Sequence, residues 1–399
     1  MASGAADKIG VLTATIVGMN AMIGAGIFAI PSSLASGVGP AGIVTFAFVA
    51  LSVWFMAQSL ARVAQLYPQE GSFYTYAKQW GGHTAGLIAS GCYLVGLLIA
   101  MGLLSHSAGE HLVRYLPQTT AYTAGLATLI SLTLLNIVGV ALSALGQQIL
   151  IVLTVFPLIG TTLICLTKAK FSNLVPFAPY GVKHIFQEAR VVAFAFFGFE
   201  ATASLFNIIQ DPQKNLPRAI TYSLTAVAIL YLTFVASLIL AVPLDLFATY
   251  PGPVSGPLER IFPNNPWLLE LIHISSISAI LGTLHSMIWS SGALLLSFIK
   301  KLRNHTSRQL VACGIINQVT CTSFIGLAIF TSFSLLTNKM FFDLTAMFLI
   351  VAYTFSMATL LTLKQEWKSG QNVITIAGMF TAAMIFYFAI TDCLVIVGR

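Results

Sequence analysis

Charge is scarce in this chain of 399 residues: Asp, Glu, Lys and Arg make up 8% of it, against about 25% in soluble domains. None of the four occurs in residues 9–61, nor in 120–167. A surface so poor in charge cannot face water throughout, which excludes an ordinary soluble domain. Cysteines at metal or redox spacing are also missing. Cys92, Cys165, Cys313, Cys321 and Cys393 all fall in apolar stretches with no CxxC among them, and they read as small lipid- or core-facing residues. No nucleotide motif or long soluble stretch could power a pump, and no period-two alternation could build barrel strands. The opening MASGAADK has no basic n-region and the apolar segment after it is too long for a signal peptide, so no cleaved leader is expected. The formal charge of +7 does not call for nucleic acid, because Lys and Arg lie mostly in short loops, where they set orientation in a membrane.

What the sequence has is apolar length. Hydrophobic residues make up 57%, and a bilayer core of about 30 Å takes about 20 helical residues. The pattern predicts an all-α membrane protein of eleven transmembrane helices, near 9–34, 40–66, 84–113, 120–138, 142–167, 188–210, 218–242, 268–299, 309–335, 343–363 and 371–396. The uncharged 120–167 would run about 70 Å as one helix, so it divides at a turn around Gly139. With a cytoplasmic N-terminus the inner loops hold Lys8, Arg62, Lys78, Lys214, Arg218, Lys364, Lys368 and the cluster 300–308, the expected sign of the positive-inside bias. The multi-pass chain is thus expected in the cell (inner) membrane, with the lipid bilayer as its surroundings.

Five spans in each of two halves, about 9–167 and 188–364, have opposite orientation because five is odd. That is the geometry of inverted-repeat transporters, with 371–396 as a peripheral helix to a single transporter domain, 1–399. Matching helices of the two halves carry breaks. Helix 1 has GAGIF at 24–28 and helix 6 has FFGFEA at 196–201. Glycine lets the backbone open, and inside a bilayer the freed groups must find a partner. Half-helix N-termini suit a carboxylate and freed carbonyls suit an ammonium, so a zwitterionic amino acid satisfies both. Close helix packing through small residues is the competing explanation of the same glycines.

Glu200 is the acid placed deepest in a span, where a carboxylate costs at least about 2.5–3.5 kcal/mol unless paired, solvated or protonated. It reads either as a proton carrier beside the helix 6 break or as a hydrogen-bonded pin to a neighbouring helix. His285 and Trp289 share a face of hydroxyl-rich helix 8, whose serines and Thr283 either contact cargo or glue helices together. His106 and Glu110 have i, i+4 spacing with His111 adjacent, but no fourth ligand is evident, and no metal or cofactor is expected. A membrane enzyme would need a catalytic cluster, and Glu200 has no partner evident in the sequence.

The stretches GAGIFAIPSSLA (24–35), YPQEGSFYTYAKQWGG (67–82), LNIVG (135–139) and FFGFEATASL with DPQKNLPRAI (196–220) resemble the amino acid–polyamine–organocation superfamily, in particular its bacterial amino-acid permeases and antiporters. The resemblance implies a five-plus-five inverted-repeat core like that of the sodium-coupled leucine transporters, with helices 1 and 6 broken. It implies secondary transport of an amino acid by alternating access, with polyamine or amine transport as the alternative. Carried over by position, the amides of Ala25, Gly26 and Ile27 beside Gly24 would hold a carboxylate. The carbonyls of Ile23, Phe194 and Phe197, next to Gly198, would hold the α-amino group. Phe194 would close over the substrate, and Cys92 and Gly96 would face its side chain. Glu200 would be the coupling site, for H⁺, or a counter-substrate would drive exchange. The sequence departs from the family at Thr154, where cationic-amino-acid relatives carry Lys, at Gly96, where some antiporters carry Asn, and in lacking a twelfth helix.

Overall fold

The computed structural model describes residues 8–24, 26–69, 72–138, 140–250, 253–302, 305–335 and 338–397. These residues form α- and 3₁₀-helices, and one isolated bridge joins Ile9 to Ile209. Helices follow from the solvent: lipid offers no hydrogen bonds, so each apolar stretch must pair its own backbone.

Ten helical stretches are long and apolar enough to cross a membrane. The first of them, Gly26–Leu66, bends through the 3₁₀ turn Gly39–Ala41, so it joins half of one span to the whole of the next. Counted with Val11–Met22, the described chain makes eleven spans. Helix 1 consists of 1a, Val11–Met22, and 1b, Gly26–Val38. Helix 2 is Gly42–Leu66, helix 3 lies within Ser72–Leu112, helix 4 is Ala121–Val138 and helix 5 is Val140–Leu166. Helix 6 consists of 6a, Ala189–Phe196, and 6b, the 3₁₀ segment Ala201–Ile208. Helices 7 to 11 are Pro212–Ala241, Pro266–Lys301, Gln318–Leu335, Asn338–Leu361 and Gln371–Val397.

Helices 3 and 9 depart from the sequence expectation at their N-terminal ends. Helix 3 is preceded by a helical segment from Ser72, set off by non-helical Gly82 at φ 67°. Helix 9 starts at Gln318 rather than 309, because His305–Ala312 forms a separate short helix. Cys313 therefore sits beyond that short helix and is exposed, not in a span. The turn expected at Gly139 lies outside the described residues, between helices that end at Val138 and begin at Val140.

Spans in matching positions of the two halves meet. Helix 2 packs on helix 7 and helix 3 on helix 8, while 1a lies beside 6b and 1b beside 6a. Lipid is as apolar as leucine, so these contacts rest on close packing and hydrogen bonds more than on water exclusion. Helix 3 also packs along helix 10, where Phe73 stacks on Tyr93 at 4.0 Å between centroids and both lie near Tyr353. Leu51, Leu134, Phe156 and Phe380 stay exposed on outward faces, as lipid-facing side chains do. Arg62 donates twice to the buried Glu366, at 3.0 and 2.7 Å, and ties the end of helix 2 to the short Lys364–Lys368 helix.

Candidate functional site

The two breaks meet at the centre of the bundle. Helix 1a ends at Met22, and its last carbonyls are taken up by neighbouring spans. Tyr231 Oη of helix 7 donates to Met22 O at 3.0 Å, and Thr283 Oγ1 of helix 8 lies 2.6 Å from Asn20 O and 2.8 Å from Ile23 O. Helix 1b restarts at Gly26, so its first N–H groups have no partner within the helix. Ala25 lies outside the described residues.

In helix 6 the chain turns out of 6a at Phe197, which is extended at φ −66°, ψ 143°. Gly198 follows at φ 111°, a conformation open to glycine. Its N–H donates to Glu200 Oε2 at 3.2 Å instead of to the Phe194 carbonyl one turn back, and Ala201 N–H pairs with Gly198 O, which leaves the Phe197 carbonyl out of the ladder. A Cβ on Gly198 would overlap the Ala21 carbonyl, so 6 and 1a touch backbone to backbone. Gly26 lies equally close to 6a: a Cβ there would stand 3.3 Å from Ala195 Cα. Each break is thus the other's wall.

Glu200 is 1% exposed. Besides the Gly198 amide, its carboxyl faces the hydroxyls of Tyr93 on helix 3 and Tyr353 on helix 10, which lie within reach of it but outside strict hydrogen-bond geometry, leaving Oε1 without a formed bond. Phe197 and Phe199 pack against the ring of Tyr353 at 6.0 and 5.3 Å. The acid therefore sits behind the helix 6 turn, where four spans converge.

Beside the break, a cavity of about 150 Å³ is lined by Gly26, Ala29, Leu103, Phe194 and Phe342 together with His106, Ser107 and Glu110. Phe194 meets Phe342 edge to face at 4.8 Å, and one turn away Arg190 binds Asp343 at 2.8 Å, closing 6a onto helix 10. The helix 3 pair does not join this cavity. Gly96 abuts helix 10, where a Cβ would lie 2.8 Å from Leu349 Cδ2, and Cys92 is half-buried against the core. His106 and His111 are engaged locally, with Phe333 O at 2.6 Å and Ser107 O at 2.9 Å, and among the described residues no metal-binding cluster forms. Thr154 is buried beside Ser275, which donates to its carbonyl at 2.8 Å; helix 5 reaches the helix 1 junction instead through Gln147.

Sequence reasoning missed Tyr93, Tyr353, Tyr231 and Gln147. A signal existed for the last of these: Gln147 is one of two adjacent glutamines in an otherwise apolar span.

The family model for amino acid permeases matches residues 9–398. The chain belongs to the amino acid permease family. Among curated relatives, this family member is 28% identical over 290 residues to the branched-chain amino acid permease BcaP of Bacillus subtilis, covering 68% of this chain and 62% of that one. It is 24% identical over 331 residues to the BcaP of Lactococcus lactis subsp. cremoris, covering 75% and 71%. The chain thus spans less than two thirds of the length of the Bacillus relative it matches. The solved structure of MhsT in complex with L-phenylalanine superimposes with a TM-score of 0.67 at 16% identity, over 97% of this chain and 100% of that one. The five-plus-five core with interrupted helices 1 and 6 is therefore the fold of this permease-family member, and with its apolar spans it is an integral membrane protein.

Proposed function

We propose that the chain is a secondary transporter of amino acids, a permease or exchanger working by alternating access across the cell membrane. The observation that carries this reading is the close approach of two interrupted helices, Gly26 at the start of 1b to Ala195 of 6a and Gly198 to Ala21 of 1a, with the first amides of 1b outside the helical ladder. Such a site offers donors to a carboxylate and acceptors to an ammonium one residue-length apart. Ile23 to Ile27 with Phe194, Phe197 and Gly198 hold the zwitterion's backbone in this proposal. Leu103, Phe194 and Phe342 favour an apolar side chain, as the names of the two branched-chain relatives do. Polyamines lack the carboxylate and would leave the 1b amides unpaired. The two repeats are assigned to 9–167 and 188–364.

Glu200 is proposed to exchange a proton as the break opens, since a carboxyl that gains and loses access to water binds a proton differently in the two states. One screen tests both parts: thermal shift of the purified protein with each common amino acid and amine at two pH values. Apolar amino acids are expected to raise the melting temperature more than amines do. Glu200→Gln is expected to keep affinity within about tenfold, about 1.4 kcal/mol, while losing the difference between the two pH values. An amine-only response would sink the substrate assignment, and an unchanged pH difference would make Glu200 a structural residue.

The loop charges support a cytoplasmic N-terminus. Eleven spans then put the residues after Val397 on the opposite side from Lys8. A reporter fused after Val397 should be silent if it requires the cytoplasm, and a cytoplasmic signal there would overturn the orientation or the count.

A further inference from the structure

On the far side of helix 1a from Glu200, three buried polar side chains form a chain across three spans. Asn20 Nδ2 of helix 1a donates to Gln147 Oε1 at 2.5 Å and to the Gln147 carbonyl at 2.8 Å, both on helix 5. Gln147 Nε2 lies 3.1 Å from His285 Nδ1 on helix 8. Asn20 is 1% exposed, Gln147 and His285 0%. Two glycines let the chain pack closely against its neighbours: a Cβ at Gly282 would stand 3.1 Å from Asn20 Oδ1, and one at Gly146 3.5 Å from His285 Cε1.

The donors and acceptors run in one direction. The oxygen of the Gln147 amide is committed to Asn20, so its NH₂ faces His285, and His285 Nδ1 must accept. The imidazole is then neutral with its hydrogen on Nε2. Two atoms are left over, His285 Nε2 and Asn20 Oδ1, neither with a partner. A buried polar atom without a partner costs about 1–3 kcal/mol, so two of them at the ends of one chain need a reason.

The reverse polarity supplies it. A proton taken from water onto Nδ1 would set N–H against the N–H of Gln147. If the Gln147 amide turns over, its oxygen accepts from Nδ1 and its NH₂ points at Asn20. Asn20 must turn as well, and its unpaired Oδ1 becomes the acceptor for Gln147. No bond other than N–H is made, and the charge gained is the proton's. The bond lost is Asn20 Nδ2 to the Gln147 carbonyl, one of the two hydrogen bonds that tie 1a to helix 5 here. Asn20 is three residues before the break, and Thr283 on the same helix as His285 already holds the carbonyls of Asn20 and Ile23.

We propose that His285, Gln147 and Asn20 are a proton-binding relay in which protonation of the histidine reverses both amides and loosens helix 1a from helix 5 by removing one of the two hydrogen bonds between them. No other group competes for that role. Helices 1, 4, 5, 9 and segment 6b bring no Asp, Glu, Lys, Arg or His to the junction, only Cys165 and Cys321 toward helix ends. Helix 7, packed on 1a and helix 5, brings Tyr231, whose hydroxyl donates to Met22 O, while its Lys214 and Arg218 lie in its first two turns. On helix 3, Tyr93 faces Glu200 of the other site, while His83, His106, Glu110 and His111 lie toward the ends of the span. On helix 8 itself, Glu270, His273, Lys300 and Lys301 are remote in sequence. A route for the proton is at hand, because a cavity of about 250 Å³ lined by Asn207, Trp289, Ser297 and Lys300 reaches Trp289, one turn from His285 on the same face.

The relay rests on the transport reading for its purpose but is tested without substrate. Hydrogen exchange of 1a amides, corrected for intrinsic chemistry, is followed between about pH 4 and 8, low enough to charge a histidine enclosed as His285 is. In the wild type 1a should exchange at least about tenfold faster at the acidic end. In His285→Gln, which cannot take the proton, and in Asn20→Ala, which keeps the histidine but cuts the chain, that acid-linked increase should vanish. Either variant suffices if the other fails to fold. A wild type without the increase, or a variant that retains it, overturns the relay. Failure of amino acids to shift the melting temperature would instead count against the transport reading and leave helix 1a exchange as it is.

Discussion

Gly26→Val should insert, fold and bind amino acids at least about a hundredfold more weakly, a loss of about 2.7 kcal/mol. Gly26 opens helix 1b, and its amide is among those left free at the break. A Cβ would already press on Ile30 Cδ1 at 3.2 Å and on Ala195 Cα and Cβ at 3.3 Å. Alanine can be taken up by shifts of a few tenths of an ångström. Valine adds a branch against the backbone of 6a, which cannot step aside, and it also fills the floor of the cavity beneath Phe194 and Phe342. Gly37→Val is the control on the same half-helix, since nothing lies within 4 Å of a Cβ there. Calorimetric titration of both variants checks the expectation. Undiminished affinity in folded Gly26→Val would mean that helix 1 is broken for some reason other than its cargo.

Gly198→Ala should be worse, because it strikes fold and function together. The position sits at φ 111°, where an L side chain costs about 1–3 kcal/mol in strain. The new methyl would also overlap the Ala21 carbonyl, a backbone atom held in helix 1a. Relief requires 6 and 1a to part. The expected result is a lower melting temperature with no rescue by saturating amino acid, together with loss of uptake in reconstituted vesicles. Wild-type uptake by this variant would show that the two breaks need not touch.

Both positions were legible in the sequence because glycine inside an apolar run is a local signal. The breaks in helices 1 and 6, the division of 120–167 and the burial of Glu200 could all be read from spacing and hydropathy. What Glu200 faces could not. Tyr93 and Tyr353 stand more than a hundred residues before and after it in opposite halves of the chain, and a tyrosine in a span is ordinary until packing brings it to an acid. Gly96 shows the opposite failure. Its small size marks close approach, but only the fold shows that what approaches is Leu349 of helix 10 rather than a ligand. Gly82 likewise interrupts what hydropathy alone could not divide, because a kink needs only one residue of left-handed backbone.

Helix 1 has an electrical consequence. From Ile9 through both half-helices it carries no Asp, Glu, Lys or Arg, and on the opposing segment Arg190 is matched by Asp343 at 2.8 Å. A membrane potential does about 2.3 kcal/mol of work per elementary charge per 100 mV, and only on charge that crosses the field. Tilting helix 1 moves no formal charge, and 6a travels with its counter-ion while the pair holds. In the cycle proposed above, voltage then has little to pull on in helix 1, and its work falls on the protons bound at Glu200 and His285 and on the cargo. A zwitterion alone would cross without regard to it, and each accompanying proton would make the cycle carry one positive charge inward along the field.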